Sequence, residues 1–329
     1  MCKKLVIGVD EAGYGPNLGP LIIAASVWKV PTELSENELT TQFGRLFQAK
    51  KWARDCEHVP LGDSKILFSP GKGLATLEAG LLAVLATATS GKGSYSSTLQ
   101  QLLAAVKVTI DSGSAAQPSA SWYQEIDEYP VPMTAEVLAD LPRLSELART
   151  QLTSLGVELV GLRAVVITER EFNRQLARLR SKGELLSQAS LQLVSDSLRD
   201  NQLAAEVFCD RQGGRKNYLP VLLAAMPEEW FVENASAPAR SSYRSTSQPE
   251  LTIHFSVRGD HFPPTALASM LAKYLRERLM QSVNEFWRNH LPSLKPTAGY
   301  PMDAARFRHE IEAVAKRLRL DPEDWWRTK

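Results

Sequence analysis

The alternation of apolar and polar positions predicts an α/β chain that opens on two strands. Leu5 to Val9 is a continuous apolar run rich in β-branched residues, the pattern of a strand buried on both faces. A dense turn segment follows, carrying Gly13, Gly15, Pro16, Asn17, Gly19 and Pro20. The next apolar run, Leu21 to Val30, begins close enough to return antiparallel beside the first. Leu74 to Ala88 has helical spacing and an Ala/Leu composition that favours helix. Val160 to Ile167 predicts a strand, Glu171 to Leu198 a long amphipathic helix or helix pair, and Val207 to Cys209 a short strand ending at Asp210. Tyr218 to Ala225 reads as a helix, Trp230 to Val232 as a short strand, and Thr252 to Val257 as an alternating strand. Pro263 and Pro264 introduce a helix running to about Trp287, with Leu267, Leu271 and Tyr274 as its buried stripe. Ala266, Ala268 and Ala272 would let that helix pack close to a sheet.

Between these regular parts, the stretch from Ser90 to Leu155 changes character. It carries Ser-, Gly- and Pro-containing segments, the aromatic pair Trp122 and Tyr123, and a helical pattern near Leu144 to Leu155. An insertion or cap at 91–155 is therefore expected within one enlarged domain made of 1–90 and 156–329. A length of 329 residues also allows two average domains. The composition, 44% apolar and 23% charged, is that of an ordinary globular protein. Asp10 and Glu11 stop the first apolar run short of a signal-peptide core, and no apolar run is long enough for a membrane span. Three scattered cysteines suit neither a disulfide framework nor a zinc cluster. A cytoplasmic protein is expected. With 38 basic and 37 acidic residues, a strongly cationic coat is excluded, but a local basic groove is not.

Carboxylates recur at the edges of the predicted elements. Asp10 and Glu11 stand where the first strand meets the glycine-rich turn, Asp210 ends a later strand, and Asp260 sits just before the proline-initiated helix. In a continuing strand Asp10 and Glu11 would point to opposite faces, so for both to reach one site the strand must end or bulge at Ala12 and Gly13. Clustered acids repel one another unless cations hold them. Hard oxygen donors of this kind suit Mg²⁺ or Mn²⁺, and a pair of such ions about 3.5–4 Å apart serves phosphodiester cleavage. Basic residues supply a candidate groove. Arg258 to Lys329 holds 13 Lys and Arg against 9 Asp and Glu, with Lys273, Arg276 and Arg278 on one helix. Arg211, Arg215 and Lys216 directly follow Asp210, with Gly213 and Gly214 between them. Phosphate contacts of this type bind without sequence preference.

The same segments resemble the type II ribonucleases H. GVDEAGYGPNLGPLIIAA is similar to their DEAGRG signature, LGDSKIL to their DSK segment, and VFCD to the strand bearing their third acid. GDHFPPTALASMLAKYLRE resembles the segment with their fourth acid and the following helix, and LKPTAGYPMDA their KGY motif. The order matches and covers most of the chain outside 90–155. The resemblance implies a ribonuclease H-like mixed β-sheet flanked by helices. It implies two Mg²⁺ or Mn²⁺ ions held by Asp10, Glu11, Asp210 and Asp260, and hydrolysis of the RNA strand of RNA/DNA hybrids to 5′-phosphate and 3′-hydroxyl ends. Gly13, Tyr14 and Gly15 match the loop that recognises the ribose 2′-hydroxyl, Tyr300 the tyrosine near the ribose, and Asp63, Ser64 and Lys65 the groove lining. Three features depart from the family: Tyr14 replaces an arginine, the step from Asp260 to Ser269 is about one residue shorter, and the chain is longer.

Those departures keep two other readings open: a metal-dependent nuclease acting on DNA junctions or other structured nucleic acid, and a non-catalytic nucleic-acid-binding homologue. Other residues read more plainly. His261 beside Asp260 is read as incidental, Asp303 as a helix N-cap, and Trp325 and Trp326 as docking residues. Lys72 and Lys92 lie between glycines but lack P-loop spacing.

Overall fold

A computed structural model describes residues 2–69, 73–89, 96–111, 120–123, 126–199, 201–212, 214–247 and 250–328. Lys72, Lys92 and Gly213 lie outside these. The chain begins with β1 (Lys3–Ala12) and β2 (Leu21–Pro31), followed by α1 (Glu36–Phe43), the two-residue strands β3 (Phe47–Gln48) and β4 (Val59–Pro60), and α2 (Ser64–Leu67). Next come α3 (Ala75–Leu85), α4 (Leu99–Ala105), β5 (Val108–Ile110), α5 (Ala135–Ser154) and β6 (Glu158–Ile167). The helices α6 (Glu169–Leu176) and α7 (Lys182–Leu198) lead to β7 (Ala205–Asp210) and α8 (Leu219–Ala225). The last part holds β8 (Phe231–Ala237), β9 (Arg240–Ser245), β10 (Leu251–Ser256), α9 (Pro263–His290) and α10 (Pro301–Arg317).

Eight strands form one sheet in the order β5-β6-β2-β1-β7-β10-β9-β8. β1, β2 and β6 pair antiparallel, whereas β1, β7 and β10 run parallel. This antiparallel trio joined to a parallel trio through β1 is the ribonuclease H-like mixed sheet. The period-2 alternation of β1 explains why it lies at the centre. Leu5, Ile7 and Val9 enter a core shared with α7 and α8, while Val6 enters the opposite core, shared with α3, α5 and α9.

Several elements differ from the sequence expectation. The predicted Trp230–Val232 strand is a full antiparallel hairpin, β8 and β9, at the sheet edge. Most of β8 is exposed and β9 reads Arg-Ser-Ser-Tyr-Arg-Ser, so little apolar patterning announces them. The expected insertion contributes to the domain itself. β5 pairs parallel with β6, and Leu99, Trp122, Leu141 and Leu144 are buried in the same core as Val6 and Trp28. α5 runs past Pro142 and begins nine residues before the pattern suggested.

α9 lies directly on β1 and β2, and a glycine permits this. A Cβ on Gly8 would lie 2.2 Å from both the carbonyl carbon of Pro264 and the amide nitrogen of Thr265. Ser26 of β2 donates its hydroxyl to the Pro264 carbonyl at 2.6 Å across the same contact. Because backbone rather than a flexible side chain blocks the space, Gly8→Ala is expected to destabilise the fold by about 3 kcal/mol or more. Urea unfolding measures this; an unchanged midpoint would mean that α9 can lift off the strand freely. Among the described residues no helix is long and apolar enough to cross a membrane.

Candidate active site

The parallel register places Val9 beside Cys209 and Asp210 beside Ser256, so Asp10 and Asp210 stand side by side at the carboxyl ends of adjacent strands. Open α/β sheets assemble sites at such ends. Val9 and Cys209 are buried on the α7 side, and alternation therefore turns Asp10 and Asp210 to the α9 side. Asp260 reaches the same place from a single 3₁₀ turn, Gly259–His261, between β10 and α9. The Gly259 amide donates to Asp210 Oδ1 at 2.7 Å. A Cβ on Gly259 would sit 3.0 Å from the Asp210 Cα, so this approach suits glycine.

β1 ends at Ala12, as expected, and Gly13 just beyond it has φ 90°; no bulge precedes that end. β1 pairs regularly with β2 through Ala12 and Ile22, and Glu11 falls on the opposite face from Asp10. It joins the group electrostatically around the strand end. Asp10 and Asp210 raise its pKa, after burial as the largest cause, and Lys65 lowers it. Burial also pushes the Asp10 carboxyl up to about 7, with the Asp210 and Asp260 charges adding to the rise and a hydrogen bond from Ser269 opposing it. Asp210 is raised as well, mainly by burial and then by Asp260.

These acids have the donor chemistry of a hard divalent-cation site. Among the described residues no three His, Cys, Asp or Glu side chains form a closed ligand set. The donor set fits the expected ions in kind.

The remaining candidates separate into groups. Asp63 caps α2, accepting the Lys65 amide at 2.8 Å, and Ser64 shares a 3.1 Å hydrogen bond with Ser269 of α9. Lys65 itself is 85% exposed, with Nζ 3.9 Å from Asp260 Oδ2. Gly13 adopts φ 90°, and Gly15 is exposed. Tyr14 is half-buried against the α7 side, and burial raises its pKa most, with the Glu11 charge adding to the rise and Arg215 opposing it. Tyr300 is 52% exposed.

The basic groove is smaller than the sequence suggested. Arg276 and Arg278 are each 1% exposed, and they donate to backbone carbonyls instead of facing solvent: Arg276 to Leu18 and Ala298, Arg278 to Pro130. Their helix face completes the buried stripe begun by Leu267. Lys273 is paired with Glu277 at 2.6 Å and sits over the Phe68 ring. Arg211 donates to the Pro238 carbonyl at 2.8 Å, Arg215 lies over the Tyr218 ring, and Lys216 is exposed. Asp303 is not the N-cap of α10, which is Tyr300; it pairs with Arg306. Beside the acids, a cleft of about 510 Å³ is lined by Glu36, Arg240, Ser256, Arg258 and His261, among others. The positioning roles of Ser269 and Gly259 were missed in the sequence, although both lie next to recognised acids or within a recognised motif.

No protein-family model matches the sequence, and no curated protein matches it significantly. Solved structures do. The ribonuclease HII of Archaeoglobus fulgidus, seen in complex with PCNA, is 14% identical over 99% of this chain and 94% of its own, with a TM-score of 0.42. Ribonuclease H2 from Pyrococcus horikoshii is 15% identical over 98% and 92%, with a TM-score of 0.45. Ribonuclease H3 of Aquifex aeolicus is 13% identical over 98% and 70%, with a TM-score of 0.36. The architecture rests on the strand order and directions.

Proposed function

We propose that the protein is a divalent-metal-dependent endonuclease that hydrolyses the RNA strand of RNA/DNA hybrids, leaving 5′-phosphate and 3′-hydroxyl ends. The observation that carries this reading is the convergence of Asp10, Asp210 and Asp260, with Glu11 beside them, at one end of the parallel strands. Such a set has little structural use. Burying unpaired carboxylates together costs stability.

Asp10, Glu11, Asp210 and Asp260 would hold Mg²⁺ or Mn²⁺, and two ions there would supply charge stabilisation and a more acidic water. The chain's own groups do the rest. Gly259 orients Asp210 through its amide. The Ser64–Ser269 pair links the groove segment 63–65 to α9 beside Asp10. Lys65 provides an exposed cation next to Asp260, and phosphates would meet it together with Arg215, Lys216 and the less available Arg211 and Lys273. Gly13, Tyr14 and Gly15 on one side and Tyr300 on the other would face the ribose, whose 2′-hydroxyl distinguishes RNA from DNA.

A cleavage panel tests the reading. With Mg²⁺ or Mn²⁺, a hybrid duplex should be cut in its RNA strand, while an all-DNA duplex of the same sequence should remain intact. Cutting of the all-DNA duplex would move the assignment to structured DNA. Tight, salt-sensitive binding with no cutting under either metal would reduce the protein to a nucleic-acid binder.

A further inference from the structure

The turn that follows the acidic strand is held by a residue more than 300 positions away. Trp325 is 3% exposed, with its ring 6.3 Å from that of Trp287 in α9. Asn173 of α6 accepts the Thr328 amide at 2.7 Å and donates its side-chain amide to the Trp326 carbonyl at 2.8 Å. Between these anchors Arg327 is completely buried. Its backbone amide donates to the Asn17 carbonyl at 2.9 Å. Its guanidinium donates to the carbonyls of Gly13 at 2.6 Å, Pro16 at 3.4 Å, and Gly19, and it lies 4.8 Å from the centre of the Phe172 ring. One residue therefore binds both ends and the middle of the 13–19 turn.

Other buried groups act on the same turn. Glu169 Oε1 accepts the Gly19 amide at 2.9 Å, and Arg276 donates to the Leu18 carbonyl at 3.2 Å. The Gly299 carbonyl accepts the Asn17 amide at 2.8 Å. Gly13 is pinned between them: a Cβ there would lie 2.5 Å from both Arg276 Nε and the Pro20 carbonyl oxygen. Desolvation brings the Arg327 pKa down to about 9, with the Glu169 charge opposing the fall, so the guanidinium remains charged at neutral pH. A cation buried this completely is costly unless its surroundings are fixed around it. Here the surroundings are the carbonyls of the turn.

We propose that Arg327 is a positioning residue for the acidic centre, holding the Gly13–Gly19 turn against the end of β1 and so fixing how Glu11 and Tyr14 face a bound strand. The inference rests on the nuclease reading for its consequence, but the restraint on the turn is measurable without activity. The test uses the full chain with Arg327→Ala and Arg327→Lys. A lysine keeps the charge but its single ammonium cannot span the carbonyls of Gly13 and Gly19.

Hydrogen exchange should quicken at the Asn17, Leu18 and Gly19 amides by about tenfold or more in Arg327→Ala, with the β1–β2 ladder unchanged. Hybrid cleavage should lose on the order of 10- to 100-fold in kcat with little change in KM, and free guanidinium at a non-denaturing concentration should restore part of it. Arg327→Lys should show the same local loosening, and it decides the matter if the alanine variant does not fold. Unchanged exchange in the turn, uniform acceleration across the domain, or failure of both variants to fold would each overturn the proposal. If the unaltered protein cuts no hybrid, the nuclease reading fails while the exchange comparison still decides the role of Arg327.

Discussion

Replacing Asp10 with Asn should abolish hybrid cleavage and, at the same time, make the metal-free protein more stable. Loss of cleavage follows if Asp10 is central to the acidic set, and removing one member of a catalytic unit costs on the order of 10³-fold or more. The gain in stability follows from the same carboxyl held at about 7 instead of 3.8. Below about pH 4 the group is protonated both folded and unfolded and carries no penalty. As pH rises toward 7 the unfolded chain gives up this proton first, so the folded state is progressively disfavoured relative to its acid-side stability. The displacement corresponds to at most about 4 kcal/mol, an upper bound because neighbouring acids share their protons. Thermal unfolding of the chelator-treated protein between pH 4 and 8 should therefore show a decline for the unaltered chain and a flatter profile for Asp10→Asn. Added Mg²⁺ or Mn²⁺ should stabilise the first and have much less effect on the second. Wild-type cleavage by Asp10→Asn would remove Asp10 from the centre, and identical pH profiles would contradict its burial among like charges.

Deleting residues 91–155 should leave a chain that does not fold. The segment supplies Leu99, Leu102, Trp122, Val137, Leu141 and Leu144 to the core beneath the sheet, each no more than 2% exposed. At roughly 1.5–3 kcal/mol for each buried side chain, their loss alone matches a typical total stability of about 5–15 kcal/mol. It would also expose the facing side chains of α3. The ends of the deletion are close, since the Thr89 amide donates to the Leu159 carbonyl at 2.9 Å, so a short linker can join them and failure cannot be blamed on reach. Circular dichroism and limited proteolysis check this. A deletion product with a cooperative unfolding transition would instead mark the segment as a separable cap.

What local pattern could reveal depended on whether a residue's partner was near it in sequence. The central strands were legible because β-branched apolar runs have few alternatives once both their faces must be buried. β1, β2, β6 and β7 all lie where such runs occur, β10 where apolar and polar residues alternate, and α9 where the apolar stripe and paired prolines place it. The acids were legible because charge at the end of an apolar run is conspicuous. The β8–β9 hairpin was not, since β8 is an edge strand facing water and the buried positions of β9 are mostly serines. Nor was the role of 91–155, whose Ser- and Gly-rich parts hide the leucines that join the core.

The sequence by itself determined the strand that carries Asp10 and Glu11, the later strand ending at Asp210, and the turn holding Asp260. Only the tertiary structure decided which arginines are free to meet a phosphate. Arg276, Arg278 and Arg327 look in sequence like members of a basic surface, yet each is buried and holds backbone carbonyls. An arginine has the same donors wherever it lies, and whether they face water or a carbonyl is set by chain segments that sequence leaves far apart.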